Sequence, residues 1–494
     1  MTRTETVRTV FHVLGFLIII QGPLLLIPII PAVFYGEYAL IHVFVAPSLL
    51  SFVVGFLLIR FIKPGTARYL QSMLICGMGW VVLSAFGAVP FFLGTDKSFL
   101  DAYFETVSGI TTTGITLFTD IEVLPRCILF WRGFVQWLGG LGILTFFLAI
   151  TFRADNTYFR LFSAESHKIA SSRPTPGIFN TVLILWGLYT FFTVSEIIVL
   201  HVLGLSFFDA VCHSFTTLST GGFSTYNASI DHFRKAGFAN YRAIEYAICF
   251  FMFLGGVNFL LHYKILLGKF KDVRRNVELW CFVAIIFCAT LLILLDHHRH
   301  FSRSSLETLE SDFRNTIFTV VSIITTTGYG TTDINEPFFP AMSKQIILVL
   351  MLVGGCVGST GGGIKVLRIV LLYKIFKAQI GKARLPRRAV SEPVLERKVV
   401  PNDELKRVSG LFWGWLLLLL VGGLITAFFT ELGSWEAFSG MFSALGNIGP
   451  CYITVHEMSE LPAIVKLTYV FGMLAGRLEI LPVILLFNLR AWKR

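Results

Sequence analysis

Four short loops carry the residue types from which a site for a bare monovalent cation can be built. They read Ile-Thr-Thr-Thr-Gly-Ile-Thr over 110–116, Leu-Ser-Thr-Gly-Gly-Phe-Ser over 218–224, Ile-Thr-Thr-Thr-Gly-Tyr-Gly over 324–330 and Leu-Gly-Asn-Ile-Gly-Pro-Cys over 445–451. Glycine permits backbone conformations that turn successive carbonyls to one side, and threonine or serine adds a hydroxyl oxygen; rings of such oxygens replace an ion's hydration shell. A single loop of this kind is an ordinary turn between helices. Four aligned copies are not. Set on Gly114, Gly222, Gly328 and Gly449, the loops need no gap over the preceding segment: Asp101, Asp209, Asn315 and Glu436 fall thirteen residues upstream, and Ser108, Thr216, Ser322 and Ser443 six upstream. The glycines are 108, 106 and 121 residues apart, so the chain holds four copies of one unit.

The elements that position these loops belong to a membrane protein. Of 494 residues only 14% are charged and 55% are hydrophobic, Phe alone contributes 49, and mean hydropathy is +0.73, which excludes a soluble globule. About ten apolar runs are long enough to cross a bilayer: 10–34, 39–60, 70–94, 129–152, 178–204, 242–267, 277–296, 344–373, 409–432 and 463–489. The first is too long for a signal-peptide core and has no cleavage site, so it is expected to be retained. Before each loop lies a segment too short to span (99–110, 207–218, 313–324, 435–445), which reads as a re-entrant helix with its acidic or amide residue at the start, capping free N–H groups. Its C-terminal, partially negative end then faces the loop. The eight cysteines, without CxxC pairs or regular spacing, read as small buried hydrophobes. The expected fold is an all-α integral membrane protein, a fourfold repeat of span, short helix, loop and span around a central pore, plus two extra N-terminal helices. Its units are a helix pair (1–66), repeats one (67–155), two (156–270) and three (271–380), and a basic cytosolic linker with repeat four (381–494).

The fourfold repeat, the extra helix pair, Thr-Thr-Thr-Gly in loops one and three, Thr-Gly-Gly-Phe in loop two, and the Gly-Ser-Thr-Gly-Gly-Gly run at 358–363 resemble the Trk/Ktr/HKT superfamily of potassium transporters, nearest its bacterial TrkH/TrkG branch. The resemblance covers nearly the whole chain. It implies a potassium filter lined by carbonyls of Thr112, Thr113, Gly114, Thr220, Gly221, Gly222, Thr326, Thr327, Gly328, Asn447, Ile448 and Gly449. A serine at the first filter glycine goes with sodium preference in plant relatives; here it is Gly114, which favours potassium. Loop four departs from the other three, so the filter is expected to be asymmetric.

Below the loops, the second span of each unit repeats a mark: Gly139-Gly140, Gly255-Gly256, Gly354-Gly355 and Ala475-Gly476. Glycine pairs alone only let helices approach, but their recurrence at one place argues for a shared bend or constriction. In unit three the run adds Gly358, Gly361, Gly362 and Gly363 before Lys365; glycine costs a helix about 0.8–1 kcal/mol each relative to alanine, so the helix is expected to break where it lines the pore. The lysine is not in the Gly-Lys-Ser/Thr order of a phosphate-binding loop. The resemblance implies an intramembrane gating loop. Arg477, next to Ala475-Gly476, costs about 2.5–3.5 kcal/mol at mid-bilayer and must face water or a partner. It either pairs with an acid such as Glu479 or projects into the path, where its charge opposes cations; the shared mark and the resemblance favour the path.

If the loops enter from outside, 27 of the 41 Lys and Arg fall in inner segments (1–9, 60–69, 153–177, 264–277, 374–408, 490–494) and ten outside, which places both termini in the cytoplasm. That geography accounts for the net charge of +11 without nucleic acid. The 374–408 linker, with Arg384, Arg387, Arg388, Arg397 and Lys398, is either a lipid-adjacent loop or a dock for a cytosolic subunit. The resemblance implies a TrkA-type regulatory subunit carrying the nucleotide (NAD or ATP/ADP), a homodimer, a bacterial inner-membrane location, potassium as substrate and no cofactor in this chain. His297, His298 and His300 read as a solvated outer loop. A proton- or sodium-coupled symporter would need buried acids, of which the spans offer chiefly Glu196 and Glu479; an enzyme would need a nucleophile or metal motif, and none is present.

Overall fold

A computed structural model describes residues 3–63, 69–142, 178–301, 306–384, 393–396 and 398–492. It is built of helices, with one small antiparallel strand pair, Val394–Leu395 against Lys398–Val399. The N-terminal pair, Arg3–Leu26 and Ile41–Phe61, packs through Gly15 and Gly55, whose missing side chains let the backbones meet: a Cβ on Gly55 would stand 2.7 Å from the Gly15 carbonyl.

Each repeat then begins with a long first span: Tyr69–Gly94, Ile178–Val202, Val277–His300 and Asn402–Phe429. Its short helix follows: Phe99–Ile110, Phe207–Leu218, Leu306–Ile324 and Ser434–Gly446. The first two have the expected ends. Asp101, Asp209 and Glu436 sit in the first turn as expected, but they are not the caps: Ser98 and Ser206 accept from the N–H groups of Asp101 and Asp209, and the helix of repeat four follows Gly433 without a side-chain cap. Asn315 is not in a first turn. The third short helix starts at Leu306, and its added turns are held by the Arg314–Glu310 pair at 2.7 Å, which leaves Asn315 in mid-helix.

The second spans break at the repeated mark. Arg126–Gly140 ends on its glycine pair, Tyr241–Gly256 turns by 100° into Phe259–Leu266, Ala341–Leu352 gives way to irregular backbone before Val366–Lys382, and Ala463–Leu478 stops before Leu481–Phe487. Among the described residues six helices are therefore long and apolar enough to cross a membrane unbroken, seven with the bent pair, against the ten runs in the sequence. Glycine pairs keep hydropathy continuous while ending the helix.

The histidines are not in a loop: the first span of repeat three continues through His300, with His297 buried, its Nδ1 3.0 Å from the Phe338 carbonyl. The segment 153–177, and Arg387, Arg388 and Arg397 of the linker, lie outside the described residues. Two large apolar clusters fill the interior, one joining the N-terminal pair with repeats one and four, the other joining repeats two and three.

Candidate ion pathway

At each loop the short helix hands over to the same backbone turn. The N–H groups of Thr113 and Gly114 both donate to the Ser108 carbonyl (2.8 and 3.4 Å), and those of Gly221 and Gly222 to that of Thr216 (2.8 and 3.4 Å). The N–H groups of Thr327 and Gly328 donate to the Ser322 carbonyl (2.9 and 3.3 Å). In loop four Ile448 N–H donates to the Ser443 carbonyl (3.1 Å) and Gly449 N–H to its hydroxyl (3.0 Å). Two residues before each glycine, Thr112, Thr220, Thr326 and Asn447 hold φ between 54° and 61°; the glycines themselves hold 83°, 73°, 87° and 106°. A β-branched residue in this left-handed region is strained and persists only where its surroundings impose it. The alternation of hand turns successive carbonyls to one side.

The loops close on one another in cyclic order. A Cβ on Gly114 would fall on the Gly221 carbonyl of loop two, one on Gly222 on the Thr327 carbonyl of loop three, and one on Gly328 on the Ile448 carbonyl of loop four. A Cβ on Gly449 would stand 3.0 Å from the Thr113 carbonyl of loop one. Eight of the twelve residues named from the sequence thus touch around one ring, the same position of each loop meeting the next, and Thr112, Thr220, Thr326 and Asn447 precede them in their loops. The ring's glycines are required twice over, by hand and by space. At the level of the strained residues, Thr112 Oγ1 and Asn447 Oδ1 are buried without a hydrogen-bond partner among the described residues. The glycines open on one side to a vestibule of about 530 Å³ whose rim includes Asp231, Asp333 and Glu336.

Beyond the other side of the ring lies the glycine-rich segment. Gly354 N–H donates to the Ile364 carbonyl (2.9 Å) and Val366 N–H to that of Gly355 (3.3 Å), which folds the segment back on itself. The loop so formed reaches three repeats. Thr360 Oγ1 donates to the carbonyls of Leu218 and Gly255 (2.9 and 3.0 Å), Phe259 N–H to that of Gly358 (3.0 Å), and Gly362 N–H to Thr326 Oγ1 (2.8 Å). Gly361 is pressed against the Thr325 carbonyl and Gly362 against Asn447, while Gly363 takes a φ of 65°. Lys365 donates back to the Gly361 carbonyl. Glu278, which the sequence gave no reason to single out, anchors the outer edge by accepting from Val357 and Leu367 N–H (2.7 and 3.2 Å).

Arg477 occupies the last turn before the break in repeat four. Its guanidinium donates to the Thr360 carbonyl of repeat three and to the carbonyls of Gly139 (2.6 Å) and Gly140 of repeat one, and lies 5.9 Å from the centre of the Trp80 ring. Its hydrogen-bond partners thus belong to repeats one and three, which are not adjacent in the cyclic order of the loops. Glu479, the acid considered for it, is engaged by Arg368.

Buried ion pairs and an arginine–carbonyl bond that the sequence did not reveal tie neighbouring repeats around the ring. Lys466 donates to Asp101 (2.6 Å), Arg314 to Glu245 (2.6 Å), and the fully buried Arg132 to Glu105 (3.0 Å) and to the Ser224 carbonyl (3.1 Å). Charges buried within apolar helices were their signal. Among the described residues no group of three or more metal-ligating side chains occurs.

The family description "TrkH: Cation transport protein" matches residues 44–492. An uncharacterized cation transporter of Methanocaldococcus jannaschii is 32% identical over 98% of this chain and 96% of its own length. The Trk system potassium uptake protein TrkH of Escherichia coli is 31% identical over 98% and 99%. The crystal structure of the potassium transporter TrkH from Vibrio parahaemolyticus superposes with a TM-score of 0.84 at 29% identity, over 98% of this chain and 99% of that one. A ring of four homologous loops inside a bundle of apolar helices, with family likeness along its whole length, makes this chain a multi-pass membrane protein of the TrkH family of cation transport proteins, an ion transporter and not an enzyme.

Proposed function

We propose that the chain takes up potassium through the four-loop ring, which serves as the selectivity filter, and that the glycine-rich loop and Arg477 form the gate beneath it. The observation that carries this reading is the cyclic contact of the four loops: the aligned glycine of each abuts a carbonyl of its neighbour, the loops share one pattern of φ, and Thr112 Oγ1 and Asn447 Oδ1 are buried without a hydrogen-bond partner among the described residues. Carbonyl and hydroxyl dipoles so arranged replace the water of a weakly hydrated monovalent cation. Relatives named as potassium uptake proteins support potassium as that cation. Arg477 closes the path by occupying the axis with a positive charge, and the loop, tied to Thr326, Leu218 and Glu278, holds the space below.

On this reading the loops face outward, both termini are cytoplasmic in a bacterial inner membrane, and a cytosolic TrkA-type subunit that binds NAD or ATP/ADP moves the gate of a homodimeric membrane subunit. The basic linker is the segment available for that contact. The test is potassium against sodium flux in proteoliposomes, with Gly114→Ser in parallel: selective potassium flux that the substitution degrades supports the filter, and unchanged selectivity refutes it. Glu196, fully buried in the first span of repeat two, is the acid available to a proton-coupled symport; a reversal potential that moves with a pH gradient would favour that alternative.

A further inference from the structure

Gln136 is fully buried in the second span of repeat one, four residues before Gly140. The matching places in the other second spans hold Met252, Met351 and Gly472, so it is the one amide of the set. It grips the neighbouring repeat's loop at both ends: its Nε2 donates to the Gly221 carbonyl at 2.6 Å, and Phe223 N–H donates to its Oε1 at 3.1 Å. The residue gripped is the anomaly of that loop. Where loops one and three carry Thr113 and Thr327, loop two carries Gly221, which lacks the positive φ of Gly222 and so has no conformational need to be glycine. The space decides it. A Cβ on Gly221 would overlap the Gln136 amide.

Thr113 and Thr327 are braced from within their own loops, their hydroxyls paired with those of Thr111 and Thr325 at 2.7 and 2.8 Å. Gly221 has no hydroxyl to pair, and the Gln136 amide fills the vacated space and fixes the carbonyl that abuts Gly114 of loop one. We infer that Gln136 is a positioning residue for ion selectivity: an amide from repeat one replaces the missing threonine of loop two and sets the orientation of the Gly221 carbonyl. The inference rests on the ring being the filter.

The experiment measures the potassium-to-sodium permeability ratio from reversal potentials, together with total flux, on full-length protein at equal incorporation into liposomes. Gln136→Met, which copies repeats two and three, is expected to lower the ratio about fivefold to tenfold, the effect of one buried hydrogen bond lost from a carbonyl that must hold its place. Gly221→Thr alone is expected to abolish selective flux, because its side chain overlaps Gln136. Gln136→Ala combined with Gly221→Thr is expected to bring the ratio back to within about twofold of the parent, since the new threonine can pair as Thr113 does. A parent-like ratio in Gln136→Met, or a double variant no better than Gly221→Thr, overturns the inference. If Gln136→Met is not recovered folded, the double variant decides alone. Gly222→Ser is run alongside: if it too leaves the ratio unchanged, the filter reading fails; if it shifts the ratio while the Gln136 variants do not, only the role of Gln136 fails.

Discussion

Replacing Arg477 by alanine removes a side chain that bonds three carbonyls on two non-adjacent repeats. Hydrogen bonds from a charged donor contribute about 1.5–3 kcal/mol each, and water admitted to the site replaces part of that, so about 2 kcal/mol of closed-state stability is a fair net figure. That corresponds to about 30-fold in the ratio of open to closed. A second effect acts while the arginine stays in the path: a unit charge about 6 Å from a passing cation raises its energy by about 3 kcal/mol at an effective dielectric of ~20. The two are alternatives along the gating coordinate and do not add. The expected rise in basal potassium flux, measured by rubidium uptake into proteoliposomes at equal protein, is therefore one to two orders of magnitude. Arg477→Lys keeps the charge and loses the fork, so it should fall between alanine and parent. Equal or lower flux in the alanine variant, with intact protein by size-exclusion profile, would refute the proposed role of this guanidinium in the gate.

Other consequences can be measured with the same preparations. Gly328→Ala places a methyl group on the Ile448 carbonyl and should cost potassium selectivity more than it costs protein yield, read by reversal potential. Glu278→Ala leaves Val357 and Leu367 N–H unpaired and frees the edge of the glycine-rich loop, so basal flux should rise severalfold; a fall would mean the loop must be anchored to open. Glu105→Ala strands the buried Arg132 and should destabilise the fold by about 3–5 kcal/mol, seen as a lowered midpoint in detergent thermal unfolding. At the vestibule, burial pushes the Asp231 carboxyl up, but Arg234 and Lys235 outweigh it and hold it below the ordinary range. A depressed folded-state value contributes stability above the unfolded value of about 3.9, and that contribution disappears as pH falls through the folded value. Asp231→Asn should flatten the acid limb of the thermal-stability profile below about pH 4.

The loops were legible because their chemistry is local: a glycine that must be left-handed and a threonine that supplies oxygen cannot drift without destroying the turn. The short helices at 99–110 and 207–218 were bounded to the residue by the gapless alignment of the loops that follow them, while the serines that cap them, Ser98 and Ser206, show only in the structure. The third short helix was placed at 313–324 but its start at Leu306 was missed, because charged Glu310 and Arg314, which look like loop, stabilise each other across one helical turn. The second spans entered the count as whole apolar runs because hydropathy does not register a glycine pair, although the recurring glycines themselves pointed to a shared bend and, in unit three, to a broken helix. Gln136, Glu278 and Arg132 were missed for a different reason. Each acts on a segment 85 to 92 residues away, or 79 to 89 in the case of Glu278, and only the closed ring brings them there. The faint signal for Gln136 was its polarity where the other repeats hold Met252, Met351 and Gly472.

Fusing the four quarters into one chain frees each from copying the others. In a homotetramer any substitution is written four times, and an arginine that crosses the axis would bring four like charges to one point, a repulsion no closed pore could hold. Here one position, Arg477, holds a single guanidinium, the run of six glycines from 354 to 363 falls in the third quarter, and the second carries Gly221 where the first and third carry Thr113 and Thr327. Four quarters carried on one chain can thus be altered one at a time.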